Sequence, residues 1–367
     1  MTHAPAHCSL SPRNLQNGLS LVELMISLTI GLVLLAGLTT LIVQQSNTRN
    51  ELEKSSRQIE NGRYAMQILH GDIQHAGFYG QYFTVPAANT VMAAMPDPCT
   101  TNLALLDTAM SLPLQGYDAP AAVAAPLNGC LNNANHVAGT DILVIRRADT
   151  GTTTITNAAA SAVAGMGGLV YLQASAASHV LNTGTAATAT NFPLTYSTTA
   201  NTGVVELRPY LVYIYFISPC STMNNGTTCA ATDDGGRPIP TLKRLELSAS
   251  GAATVFTLTP LVEGIENMQL DYGLDNDNDG YPDAYTTAPA TVTAWSNVMA
   301  IRVNLLARNN DPTTGYVDAK NYCLSGNAAL CVVGNASYVS APNDTYKRHV
   351  FSELIRTTNP SGRRALQ

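Results

Sequence analysis

Two acidic features and a set of cysteines carry the chemistry that this sequence could do. The stretch GLSLVELM, Gly18 to Met25, puts Glu23 at the head of a run with no charge from Leu24 to Val43. An ionised carboxylate there is costly in hydrocarbon and marks a function that needs it. The second feature is DNDNDGYPD, which sets Asp275, Asp277 and Asp279 at alternate positions, then Gly280, Tyr281 and Asp283. Oxygens at loop positions one, three and five, a glycine for the turn, the Tyr281 carbonyl and a ninth-position acid suit calcium. Thr286 stands where an EF-hand has its bidentate glutamate, and the flanks read as strands, so this is no EF-hand. A solvated Asp/Asn turn is the plain alternative. Carboxylates this close repel one another, which favours a divalent ion.

The cysteines are Cys8, Cys99, Cys130, Cys220, Cys229, Cys323 and Cys331. The last six allow many pairings. Local spacing favours Cys220 with Cys229 and Cys323 with Cys331, which leaves Cys99 with Cys130. No CxxC pair and no His/Cys cluster at zinc spacing occurs. Enzymatic patterns are also missing: no G-x-S-x-G elbow, H-E-x-x-H helix or P-loop. His70 and His75, five apart, miss the one-face helical spacing, and His136, His179 and His349 have no acid or nucleophile partner in sequence. The expectation is a non-enzyme; a membrane-anchored hydrolase built from distant residues is the contrary reading.

These groups need elements to position them. The chain has 367 residues, 46% hydrophobic and 12% charged, with a formal charge of −6. That suffices for a real core, and a surface so poor in Lys and Arg argues against nucleic acid as a direct partner. The apolar run, of about 20 residues, exceeds a signal-peptide core and matches the length needed to cross about 30 Å of bilayer. It reads as a retained transmembrane helix, with Arg13 a weak mark of the inner side. Beyond it, Glu51 to Phe78 reads as an amphipathic continuation with Leu52, Ile59, Met66 and Ile73 seven apart and Leu69 in the same stripe. Gly62 is tolerated inside it, and His75 to Gly77 is a stop. The whole would be one helix of about 55 residues.

The rest reads as strands. Met268, Leu270, Tyr272 and Leu274 alternate with polar or small residues, as do Met299, Ile301, Val303 and Leu305. LVYIYFI, Leu211 to Ile217, is apolar on both faces and predicts a central strand covered by the helix on one side. From Thr150 to Val205 there is no formal charge. TTTIT (Thr152 to Thr156) and LVYLQ (Leu169 to Gln173) there predict short strands in an insertion on the sheet rim, with an adhesive or partner-binding surface as the alternative.

The stretch GLSLVELMISLTIGLVLL resembles the processing site and hydrophobic spine of type IV prepilins. NGRYAMQILHGDIQHAGFYG, DILVIRRAD, PYLVYIYFISPC, LTPLVEGIENMQLDYGLD, MAIRVNLLAR and YKRHVFSELIRTTN resemble minor pilins of the PilW type. The resemblance implies an α+β, pilin-like fold, a long N-terminal transmembrane and amphipathic helix packed on an antiparallel β-sheet. It implies a leader over 1–18, a helix over 19–78 (membrane spine about 24–43, amphipathic part about 51–76) and a β-rich globular domain over 79–367 with a low-charge insertion about 150–205. Prepilin peptidase would cut after Gly18, making Leu19 the N-methylated terminus and removing Cys8. Phenylalanine is usual at that position, so Leu19 is a departure. Glu23 would meet the charged N-terminus of a neighbour, an assembly role. The protein would sit in the inner membrane by a single pass, with its domain in the periplasm, and then enter the extracellular pilus. Its partners would be other minor pilins and the major pilin, and its work to initiate assembly in a tip-proximal complex. A minor pseudopilin of a type II secretion system and a pilus-tip adhesion module are the alternatives. No cofactor is implied beyond the calcium of the Asp275 loop.

Overall fold

The computed structural model describes residues 18, 20–83, 85–152, 167–186, 188, 190–195 and 205–365. The chain divides into two units, Met1–Glu53 and Lys54–Gln367. Helix α1, Leu21–Gln74, contributes to both. In the first unit its side chains from Leu21 to Asn50 are exposed all round, leucine, isoleucine and valine included. A helix apolar on every side is stable only in lipid or against other apolar helices. The Ser27, Thr29, Thr39 and Thr40 hydroxyls each donate to a carbonyl three or four residues back, so the run hides its own polar groups.

In the second unit α1 buries Gln58, Gly62, Ala65, Met66, Leu69, Asp72 and Ile73. This corrects the seven-residue stripe: Leu52 and Ile59 remain 66% and 39% exposed. A seven-residue repeat drifts by about 20° per heptad around a straight helix, so a line through Leu52 and Ile59 leaves the face that Ile73 buries. The helix ends where expected, and Gly77, at φ +70°, turns the chain away.

Short helices α2 (Ala88–Val91) and α3 (Leu103–Ala109) precede strands β1 (Leu114–Tyr117) and β2 (Ile142–Ala148). Then come β3 (Val170–Ala174), β4 (His179–Thr183), β5 (Leu207–Ser218), β6 (Thr241–Ser250) and β7 (Ala253–Glu263). These strands form one antiparallel sheet in the order β1-β2-β5-β3-β4, with β6 also on β5 and β7 on β6. Strands β8 (Ile265–Leu274), β9 (Ala284–Thr286), β10 (Val298–Arg308) and β13 (Arg348–Arg356) form a second sheet, ordered β13-β10-β8-β9. Helix α4 (Val292–Ser296) leads into β10, a small ribbon pairs β11 (Tyr322–Cys323) with β12 (Tyr338–Val339), and α5 (Thr358–Ala365) follows β13. The fold is α+β, a long apolar helix followed by antiparallel sheets.

Strand β5 is the two-faced strand its sequence suggests. Tyr213, Tyr215 and Ile217 join a core with Ala65, Met66, Leu69 and Ile73 of α1 and with Met268, Leu270, Tyr272, Ile301, Val303 and Leu305 of the second sheet. Val212, Ile214 and Phe216 point into a second core with Leu106, Met110, Val144 and Leu172. The low-charge stretch is more than rim decoration: β3 extends the first sheet by pairing with β5, and β4 with β3. Of the expected TTTIT strand, Thr153 to Thr156 lie outside the described residues. The two sheets are tied at Asp141, whose backbone donates to the Met268 carbonyl and whose carboxylate accepts the N–H groups of Ala119 and Leu270. Burial raises this carboxyl well above the usual range, while those two hydrogen bonds oppose the rise.

Candidate functional site

At the start of α1, Glu23 lies in the first helical turn and is exposed. Gly18 is exposed ahead of it, and Leu19 lies outside the described residues. The Leu24 N–H already bonds the Ser20 carbonyl, which places Ser20 at the helix start and Glu23 three residues on. This is capping-box spacing, a local use for the glutamate that reading it only as an intramembrane acid overlooks. A carboxylate in the first turn also favours the helix dipole. Neither effect removes the charge of an ionised carboxylate at the head of an apolar run, whose hydroxyls are bonded within the helix.

The Asp275 loop is a tight hairpin. Tyr272, Gly273 and Leu274 of β8 pair directly with β9, so a strand returns well before β10 begins at Val298. Asp275 is buried, and its carboxylate accepts the N–H groups of Asn278 and Gly280. Asp283 accepts from Asn276, Asp277 from Asp279, and Asp279 from Tyr281. Gly280 has φ +84°, and a Cβ there would meet the Ser361 carbonyl at 2.7 Å, so only glycine serves. Asp275, Asp277 and Asp283 bring carboxylate oxygens within 4.8 Å of one another; Asp279 is not in this group. Tyr281 instead lays its ring under the Arg356 guanidinium, 4.3 Å from ring centroid to Cζ.

Three carboxylates so placed fit a divalent cation in number and charge. The chain also supplies a cation of its own: Arg364 Nη1 lies 3.4 Å from Asp275 Oδ2 and 2.8 Å from Asn278 Oδ1. An ion would share Asp275 with this guanidinium.

The buried half of α1 is pinned by polar contacts that spacing could not show. Asp72 accepts from Arg147 at 2.8 Å and from the Tyr215 hydroxyl, with Arg244 at 3.8 Å. Burial, then the Asp72 charge, pushes the Tyr215 hydroxyl far above its usual range. Gln58 Nε2 donates to the Ala307 and Lys347 carbonyls across the sheet end. Gly62 is required for contact, since a Cβ there would overlap the Phe351 ring of β13. Two histidines gain acids that sequence proximity did not reveal: His179 Nε2 sits 2.7 Å from Asp107, and His70 Nδ1 2.9 Å from Glu353. His179 also lies against the Tyr82 ring, tilted at 42°, and neither pair has a nucleophile bonded to it among the described residues. Disulfides join Cys99 to Cys130, Cys220 to Cys229 and Cys323 to Cys331.

Comparison with known proteins bears on the same two regions. A family model for type IV pilus-assembly protein W matches residues 215–359, from within β5 to the start of α5. A model of the prokaryotic N-terminal methylation motif matches residues 13–39, across Gly18 and Glu23. No curated protein matches the chain. Among solved structures the chain is similar to a type IV-like pilin from Thermus thermophilus, with 15% identity over 61% of this chain and 82% of that one, and a TM-score of 0.26.

Proposed function

We propose that this chain, a PilW-type pilin of the type IV pilus by its methylation motif and its domain, helps to initiate pilus assembly as a minor subunit of a tip-proximal complex. It is an inner-membrane-anchored pilin with a periplasmic domain that passes into the pilus. Its motif implies processing by prepilin peptidase and assembly with other pilins. The proposal adds the stage at which it acts and the company it keeps: other minor pilins first, then major pilin laid upon them.

The observation that carries it is Glu23, a charge at the head of an apolar run whose side chains, from Leu21 to Asn50, are all exposed in the single chain. Cleavage after Gly18 would create an ammonium at Leu19. An ammonium and a carboxylate are each costly in an apolar bundle, and paired across two helices they offset much of that cost. A neighbour slipped by one turn leaves both unpaired, so the pair sets partner and register. Deleting the gene should abolish most surface pili, counted by electron microscopy; normal pili would overturn the reading.

A second reading, adhesion, is favoured by one observation. Beside the Cys323–Cys331 bridge, Val332 and Val333 are 54% and 79% exposed on an irregular loop. Normal pili with lost attachment in the deletion strain would select it. A calcium ion held by Asp275, Asp277 and Asp283 belongs to the proposal as well, supported by the closeness of their oxygens. With two of these three acids exposed, affinity should fall in the extracellular range of about 10⁻⁴–10⁻³ M.

A further inference from the structure

Helix α5 closes over the turn that ends α1. Asn359 Nδ2 donates to the Ala76 carbonyl at 3.2 Å, and Arg363 Nη1 to the Gly77 carbonyl at 3.0 Å. For Arg363 this carbonyl is the one hydrogen-bond partner among the described residues. Burial draws its guanidinium below the ordinary range, and the group opposing that fall is the Tyr79 hydroxyl, not a carboxylate. The neighbouring arginine differs. Arg364 is held by Asp275, Asn278 and Asn297, so its charge is already met.

Arg363 lines a cavity of about 280 Å³. Phe83, Pro86, Pro113, Trp295 and Pro360 give it an apolar wall, and no carboxylate belongs to the described lining. Phe83 is 66% exposed, a large ring kept at the surface beside the cavity. Ligand sites run from about 300 to 1,000 Å³, so this one suits a single ring or a short chain. A guanidinium presents its N–H groups in a fixed plane, and the Gly77 carbonyl takes only one nitrogen. The rest of that fork matches a planar carboxylate. One unmet cation calls for one negative charge. Phosphate, more highly charged and strongly hydrated, loses more on entering an apolar wall.

We propose that this cavity binds a small organic acid, its carboxylate on the Arg363 guanidinium and its apolar body against Phe83, Pro113 and Trp295. The site uses no residue assigned to assembly or to calcium, and it stands or falls apart from both.

Trp295 is the chain's single tryptophan, so its emission reports on this cavity. The probe is cyclohexanecarboxylate, which does not absorb where tryptophan does, with cyclohexanecarboxamide as its uncharged counterpart. Titrated into the full-length chain in detergent, the carboxylate should change Trp295 emission saturably and raise the thermal midpoint. The amide should bind at least about tenfold more weakly. Arg363→Gln keeps a donor for the Gly77 carbonyl, removes the charge, and should erase that difference between the probes. Phe83→Ala should weaken both probes alike. An arginine that serves only the turn would shift the midpoint without touching the preference, so a folded Arg363→Gln chain with the wild-type preference overturns the site. A wild-type chain with no saturable change overturns it too, as does equal binding of the amide or unchanged binding by Phe83→Ala. Inorganic phosphate binding as tightly as the carboxylate would make this a general anion site and overturn the assignment to an organic acid. Should Arg363→Gln fail to fold, the amide comparison and Phe83→Ala decide under the same criteria.

Discussion

A carboxylate at the mouth of an apolar helix can recover its lost hydration in two ways, by bonding the free N–H groups of its own first turn or by meeting a cation on another chain. Glu23 is placed for both, at the capping-box distance from Ser20 and at the head of an exposed apolar surface. The two uses separate on substitution. Glu23→Gln retains a side chain that can reach the helix start and loses the charge; Glu23→Ala loses both. Either variant should stay membrane-bound, because the run from Leu24 to Val43 is unchanged, and be largely processed. If charge pairing dominates, both should lose recovery of partner pilins to a similar degree on co-purification. Recovery by Glu23→Gln at the wild-type level would make the local cap the main role, and recovery by both would end the case for Glu23 as an assembly residue. Arg364 shows the same economy at the other end of the chain, a single guanidinium serving Asp275, Asn278 and Asn297.

Elements here are held by close approach as much as by apolar area. Helix α1 runs against β13 at Gly62, where the Phe351 ring occupies the space of a side chain. Alanine is the better helix former by about 1 kcal/mol, so propensity alone predicts that Gly62→Ala stabilises. Overlap with a packed ring costs about 1–3 kcal/mol, and the clash should win. Gly62→Ala should lower the thermal midpoint, and adding Phe351→Ala should return part of the loss, a coupling that a double-mutant cycle measures. A midpoint that rises in Gly62→Ala would show that the ring moves aside freely. The hairpin from β8 to β9 has a different device, an acidic loop folded on its own N–H groups and clamped by Arg356 and Arg364. Millimolar calcium should stabilise the wild-type protein by on the order of 1 kcal/mol and raise its midpoint, with EDTA reversing it. Asp277→Ala should abolish the response, and magnesium should substitute poorly because it demands a tighter octahedral shell. An unchanged midpoint with no heat of binding would leave the loop a polar turn.

For the molecule as a whole, what could be read in advance follows sequence distance. Glu23 and its apolar run, the two-faced strand at Leu211 to Ile217 and the cysteines eight or nine residues apart are local patterns, visible to period and spacing. The Asp72 contact with Arg147 and the His179 contact with Asp107 are made by chain crossings, and no local period encodes them. The insertion lay between these cases: LVYLQ was legible as a strand, but its place beside β5 was not, because uncharged Ala/Thr-rich sequence carries too little alternation to fix a partner. Processing would join the local and the global, since the proposed cut at Gly18 would decide which chain is assembled. Cleavage after Gly18 would remove Cys8 with the leader and leave six cysteines in three bridges, with no thiol left over. The intact mass of protein taken from membranes should therefore be that of the unprocessed, reduced chain less residues 1–18 and six hydrogens, plus one CH2, and alkylation without reduction should add nothing. Leu19 replaces the usual phenylalanine at the methylated position, so the methyl is the sensitive part of this measurement: a species lacking only the methyl separates cleavage from methylation. A chain that begins at Met1, or one cut after Val43, would show that the apolar run is not handled as a prepilin spine.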